Sequence, residues 1–145
     1  MTPVLGIDFG RSRIGVAISD ELRLLAHPLE TIPAGKNTVQ RIAELVRERK
    51  IDNVVVGTPR NMDGSFGPAA KDAMKFVEEL RAIVSCEVTT CDERLTTVAA
   101  HRALREAGKT TRETRGYVDQ VAAQIILQGY LDRQQDAAGI QEMPQ

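Results

Sequence analysis

Val4-Leu5-Gly6-Ile7-Asp8-Phe9-Gly10-Arg11-Ser12-Arg13-Ile14-Gly15-Val16-Ala17-Ile18 is the stretch on which the reading of the fold turns. Two apolar runs, residues 3–9 and 14–18, flank the short turn Gly10-Arg11-Ser12-Arg13, the pattern of an antiparallel hairpin of buried strands. Asp8 is the one ionisable residue in the first run. Gly10 allows a backbone or ligand to approach closely. Arg11 and Arg13 are of the residue type that grips phosphate through two parallel hydrogen bonds. A hairpin with a turn-forming Asp and solvated arginines would account for the same residues, so any chemistry must be argued from the rest of the chain.

Working outward, residues 24–32 read as a third strand, with His27-Pro28 implying a break or an edge position. The period then changes. Val39, Ile42, Ala43 and Val46 form a helical stripe ending near Lys50. Residues 53–57 are a short β-branched strand, Ala73, Phe76, Val77, Leu80 and Ile83 mark a second helix, and residues 87–91 a fifth strand. A helix over 98–107 is closed by Gly108, and Val118, Val121, Ala122, Ile125 and Ile126 stripe a last helix over 117–131. The order β-β-β-α-β-α-β-α-α predicts an α/β domain with a five-stranded mixed sheet flanked by helices, the layout of the ribonuclease H-like fold. Residues 1–133 are expected to form this domain, and the polar, Ala/Gln-rich stretch 134–145 a frayed tail.

Composition narrows the function classes. A chain of 145 residues suits one domain. Only 3% of residues are aromatic and none is Trp, which argues against a broad stacking platform for single strands. The net charge of −1 carries no nucleic-acid signal, so any basic surface must be local. Cys86 and Cys91 match no metal or redox spacing and should point to opposite sides of a strand, free thiols of a reducing cytoplasm. There is no basic, apolar leader pattern and no run near the roughly 18 apolar residues of a membrane span, so the expectation is a cytoplasmic protein without a membrane partner.

Two further acidic residues stand in segments that look built to hold them. Glu93 follows the fifth strand in Cys91-Asp92-Glu93-Arg94-Leu95-Thr96-Thr97, where Asp92 and Glu93 would also suit the N-terminus of a helix capped by a Thr. Asp119 lies about 20° from Ile126 around the last helix, at the border of its apolar stripe. Two strand ends and one helix edge can converge at one end of a sheet. Carboxylates ~4 Å apart repel by about 4 kcal/mol per pair at an effective dielectric near 20, a cost that divalent cations remove. Oxygen-only ligands favour Mg²⁺ or Mn²⁺ over Zn²⁺. Two such ions can activate water and stabilise the leaving oxygen of a phosphodiester. The loop over 57–65 is not a P-loop, although Arg60, Asn61 and Ser65 could approach a sugar or phosphate. Arg102, Arg105, Lys109, Arg112 and Arg115 form a basic stretch that either steers substrate or is a solvated helix end. His27 and His101 have no evident partners.

Gly6-Ile7-Asp8-Phe9-Gly10, Arg13-Ile14-Gly15-Val16-Ala17 and Ser19-Asp20 resemble the opening signature of the YqgF (RuvX) family. Val56-Gly57, Pro59 and Asn61-Met62-Asp63-Gly64 resemble its second block, and Asp92-Glu93-Arg94-Leu95-Thr96-Thr97 its third. Asp119, Ala122-Ala123, Ile126-Leu127-Gln128 and Tyr130-Leu131 resemble its last helix. The resemblance implies a ribonuclease H-like, metal-dependent endonuclease maturing the 5′ end of 16S ribosomal RNA, or a Holliday-junction resolvase acting on DNA. It implies Asp8, Glu93 and Asp119 as catalytic metal ligands for Mg²⁺ or Mn²⁺, and selects Glu93 over Asp92. Arg11, Arg13, Arg60, Asn61, Arg94, Arg112 and Arg115 become expected nucleic-acid contacts, in a monomer or homodimer acting on structured RNA or a DNA junction. The chain departs from the family at Thr58, often apolar, and in the segment 112–118, usually richer in lysine. Two readings of other classes stay open. An actin-like ATPase shares the Asp-Phe-Gly turn but needs a second lobe, and a non-catalytic ribosome-assembly factor would carry the carboxylates as structural groups.

Overall fold

The computed structural model describes residues 1–59, 63, 65–93 and 112–142, with the side chains of 112–117 and 138–142 outside that description. The expected helix over 98–107 with its cap Gly108, and His101, Arg102, Arg105 and Lys109, lie outside the described residues.

Five strands, β1 (Val4–Asp8), β2 (Arg13–Ser19), β3 (Ala26–Pro33), β4 (Asn53–Thr58) and β5 (Glu87–Asp92), form one sheet in the order β3-β2-β1-β4-β5. β1 pairs antiparallel with β2, and β2 with β3. β4 runs parallel to both β1 and β5. The hairpins of the first half and the helical crossovers of the second dictate this mixture, because parallel neighbours need a long connection. Helix α1 (Thr38–Glu48) links β3 to β4, α2 (Pro68–Ile83) links β4 to β5, and α3 (Arg112–Glu142) follows.

β3 lies at the sheet edge, and its register against β2 shifts between Val16 and Ala17, where Ala17 faces Pro28. A proline cannot donate to a ladder, so an edge position with a bulge is where it is tolerated. α1 ends at Glu48, two residues before the expected Lys50. Lys50 takes the left-handed conformation at φ 54, and Ile51 N–H donates to Val46 O at 2.9 Å, closing the helix.

Strand alternation sorts the sheet into two unlike faces. Leu5, Ile7, Ile14, Val16, Val54, Val56 and Val88 pack with Ile42, Leu45, Phe76, Val77 and Leu80 of α1 and α2. Val4, Ala17, Val55 and Cys91 face Ala122, Ala123, Ile126, Leu127 and Leu131 of α3. Cys86 joins the first cluster and Cys91 the second, and both are free thiols. On the α3 side the strands are trimmed to Gly6, Gly15, Ala17 and Gly57, so the helix lies close against the backbone.

α3 extends well past the expected Leu131. Residues 134–142, read from sequence as frayed tail, continue the helix. Gln and Ala are good helix formers, and the segment has anchors. Arg133 donates from Nη2 to Cys91 Sγ at 2.9 Å, and Gln135 donates to Arg23 O at 3.4 Å. A ladder of glutamines one helical turn apart ties α3 to the edge strand and the turn before it. Gln120 donates to Thr31 Oγ1 at 3.1 Å, Gln124 to Ala26 O at 2.9 Å, and Gln128 to Leu24 O at 2.9 Å while accepting from Ala26 N–H at 2.8 Å. Among the described residues, no helix is long and apolar enough to cross a membrane.

Candidate functional site

Asp8 is the last residue of β1, and its register partners are Gly15 on β2 and Gly57 on β4, with Cys91 of β5 beyond Gly57. Val4, Gly6 and Asp8 share the face that α3 covers. Asp8 therefore stands in a row with a missing side chain on each side of it. The backbone of Asp119 occupies one of those vacant positions, and Ile126, with Glu93 beside it, the other.

On one side, a Cβ built on Gly15 would meet the Asp119 backbone oxygen at 2.0 Å and Asp119 Cβ at 3.2 Å. On the other, a Cβ on Gly57 would meet Ile126 Cδ1 at 2.5 Å and Glu93 Oε1 at 3.3 Å. Asp119 and Glu93 thus stand over β2 and β4, the two strands that flank β1. All three are buried, at 4%, 4% and 6% exposure for Asp8, Glu93 and Asp119. Charged residues are seldom buried this far without a specific counterpart.

Each carboxylate is fixed by the element that carries it. Asp8 is held by ladders on both sides of β1. Glu93 directly follows β5, whose end is tied to β4 by Thr58 Oγ1 donating to Cys91 O at 3.2 Å. The hydroxyl of Thr58 thus has a structural use at the root of Glu93. Asp119 belongs to the buried α3 series with Ala122, Ala123, Ile126, Leu127 and Leu131, inside the stripe rather than at the border that the sequence angle suggests. The reason is that Gly15 lets this turn of the helix approach the sheet. Burial, and then the charge of Asp92 beside it, push the Glu93 carboxyl up to about 7.

The expected phosphate-binding arginines divide. Arg13 donates from Nε to Asp119 Oδ2 at 2.7 Å, so it faces a carboxylate. Arg11 is exposed and donates to Asp72 Oδ2 at 2.9 Å. It also lines a cleft of about 510 Å³ with Phe9, Gly10, Pro59, Pro68 and Ala69, on the other side of the β1–β2 turn from α3. Arg60, Asn61 and Arg94 lie outside the described residues, as do the side chains of Arg112 and Arg115. Phe9 packs against Phe76, with ring centroids 5.1 Å apart and the planes tilted by 35°.

Sequence reasoning missed Gly15 and Gly57 as makers of the site. Their signal was present, since a glycine inside an otherwise β-branched strand marks close approach of another group. It lacked a direction, because the sequence does not show which strands flank Asp8.

The donor set suits a hard divalent cation: three buried carboxylates, oxygen donors throughout. Among the described residues, no group of three or more His, Cys, Asp or Glu is already arranged to hold a metal ion. The carboxylates are neighbours rather than a closed ligand shell, and Asp119 meets Arg13.

The sequence profile of the RuvX family, described as Holliday junction resolvases, matches residues 2–133. A relative from Chloroflexus aggregans is 49% identical over 131 residues, covering 89% of this chain and 92% of its own. One from Halalkalibacterium halodurans is 45% identical over 135 residues, covering 90% and 96%. Both are named, provisionally, as pre-16S rRNA nucleases. Among solved structures, T. thermophilus RuvC in complex with a Holliday junction substrate superposes with a TM-score of 0.56 at 16% identity, covering 93% of this chain and 96% of that one. The fowlpox virus resolvase bound to junction DNA gives 0.50 at 11%, covering 90% and 97%. At such identities the likeness concerns the fold. A mixed sheet ordered β3-β2-β1-β4-β5, with one helix laid over the acidic end of its central strand, is the ribonuclease H-like fold, and this chain belongs to the RuvX family.

Proposed function

We propose that this protein is a metal-dependent endonuclease that hydrolyses phosphodiester bonds in structured RNA, with the 5′ end of precursor 16S ribosomal RNA as its substrate. The observation that carries the reading is the row Gly15–Asp8–Gly57, with Asp119 over one glycine and Glu93 over the other. The names of the relatives supply the substrate class.

Asp8, Glu93 and Asp119 would hold Mg²⁺ or Mn²⁺. Bound divalent ions supply Lewis acidity, making water nucleophilic at neutral pH and offsetting charge on the leaving oxygen. The chain's own residues supply the rest. Asp8 fixes the centre of the site on the most constrained strand of the sheet. Glu93, fixed just past the end of β5, would complete the ligand set as a carboxylate. Ile126 and Leu127 wall off the site from below. Arg11, on the turn after Asp8, and Arg13, at the start of β2, would grip the backbone so that attack on phosphorus is in line with the departing 3′-oxygen. Arg60, Asn61, Arg94, Arg112 and Arg115 belong to the same proposed contact surface. Residues 1–133 form the proposed nuclease unit, working in the cytoplasm.

The test is cleavage of a precursor 16S RNA with and without Mn²⁺, by the wild-type chain and Asp8→Asn. The variant should fold normally and lose cleavage. Full activity in folded Asp8→Asn would exclude the site. A four-way DNA junction belongs in the same assay, since the family description and the DNA-bound structural neighbours favour it as the second reading. Selective cutting of the junction would transfer the proposal to DNA.

A further inference from the structure

Arg13 stands where a cation has to go. Its Nε lies 2.7 Å from Asp119 Oδ2, and the Asp119 side chain is 9% exposed against 39% for Arg13. The two partners differ in freedom. Asp119 rides on a helix whose backbone oxygen sits where a Cβ of Gly15 would be, so the carboxylate cannot retreat. Arg13 is the first residue of β2, with a long side chain already partly in solvent. If one of them moves, it is the arginine. The position it would leave is at a buried carboxylate over Gly15, the register partner of Asp8, and the turn it would swing toward carries Arg11.

We infer that Arg13 is a resident counter-cation of Asp119, that a divalent ion competes with it for this carboxylate, and that loading the site frees Arg13 to bind the phosphate backbone of the substrate. The inference rests on the metal-site reading above. Its physical content is a linkage. The ion must displace a charge-assisted hydrogen bond, so the metal binds more weakly than the bare carboxylates would allow. The freed guanidinium adds a phosphate contact only in the metal-loaded protein. Metal and nucleic acid then strengthen each other's binding by the same factor. The arrangement also keeps the acidic end of the sheet partly neutralised in the metal-free protein.

The experiment is calorimetric titration of the metal-free full-length chain with Mn²⁺, comparing wild type, Arg13→Gln and Arg13→Lys, each checked for folding by thermal melting. Arg13→Gln should bind Mn²⁺ about tenfold more tightly than wild type, the scale of one lost charge-assisted hydrogen bond. Arg13→Lys, which keeps the charge without the planar fork, should fall between them, and carries the test if Arg13→Gln fails to fold. In parallel, binding of a phosphorothioate-protected structured RNA should tighten on adding Mn²⁺ in wild type and not in Arg13→Gln. Equal or weaker Mn²⁺ binding by the variants, with wild type binding normally, overturns the inference and leaves the metal site standing. Absence of Mn²⁺ binding in all three proteins overturns the metal site itself.

Discussion

The two faces of this sheet are made of different material. The α1/α2 face is built from large aliphatic side chains, Leu5, Ile7, Ile14, Val16, Val54 and Val56 against Ile42, Leu45, Phe76 and Leu80. The α3 face keeps Val4, Val55 and Cys91 but is trimmed at Gly6, Gly15, Ala17 and Gly57, and close approach of the helix there brings carboxylates and a row of glutamines up to the strands. One face stores stability in buried apolar volume. The other gives up side-chain volume so that a helix can deliver an acidic group to the middle of the sheet. Stability and chemistry are thereby separated by the thickness of one strand.

The strongest way to break this division is to put a side chain back on the trimmed face. Gly15→Val should cost more than about 4 kcal/mol or prevent folding, because its Cβ meets a helix backbone oxygen rather than a movable side-chain tip. Gly35→Ala, with no atom within 4 Å of the added Cβ, serves as the control and should be close to neutral in urea denaturation. Next in size is a cavity on the other face. Leu80→Ala should lose about 3 kcal/mol by the same measurement, while the folded fraction retains wild-type kcat, since Leu80 belongs to the cluster that faces away from Asp8.

Glu93 tests the comparison through pH. Burial raises its pKa to about 7 from an ordinary value of 4.5, so the folded state disfavours the charged form. That cost is absent below about pH 4.5, grows as pH rises and is complete above about 7. Glu93→Gln should therefore be more stable than the metal-free wild type at pH 8, by about 2 kcal/mol, and the advantage should vanish near pH 4. A stability difference that does not change with pH would contradict this. The smallest effect concerns the glutamine ladder: Gln124→Ala should cost about 1 kcal/mol for the hydrogen bond it gives to Ala26 O.

Much of the sheet was legible because its pattern is local. The runs 4–8, 14–18 and 53–57 alternate or stay apolar over short spans, and the turn after Phe9 can only reverse the chain. The acidic residues were visible individually, and four ordered blocks resemble those of the family closely enough to pick out Asp8, Glu93 and Asp119. Their convergence was not visible, because it depends on register: Gly15 and Gly57 matter only once they are seen to flank Asp8. Helix ends were also elusive. Residues 134–142 look like a tail by composition, yet they extend a helix that is anchored at Arg133 and Gln135 by contacts to Cys91 and Arg23 far away in sequence. Arg13 was read as a phosphate ligand from residue type, and the structure gives it to Asp119.

Asp119 is carried by a helix that is stitched to the sheet along much of its length, from Gln120 to Gln135. Groups on mobile loops open locally many times for each global unfolding event, whereas groups on the most protected elements open only with the whole domain. The backbone amides of α3 around Ala122 and Ile126 should thus be among the slowest in the molecule to exchange with deuterated solvent, and the turn next to Asp119 should share that protection. A carboxylate mounted in this way keeps its position for as long as the protein stays folded.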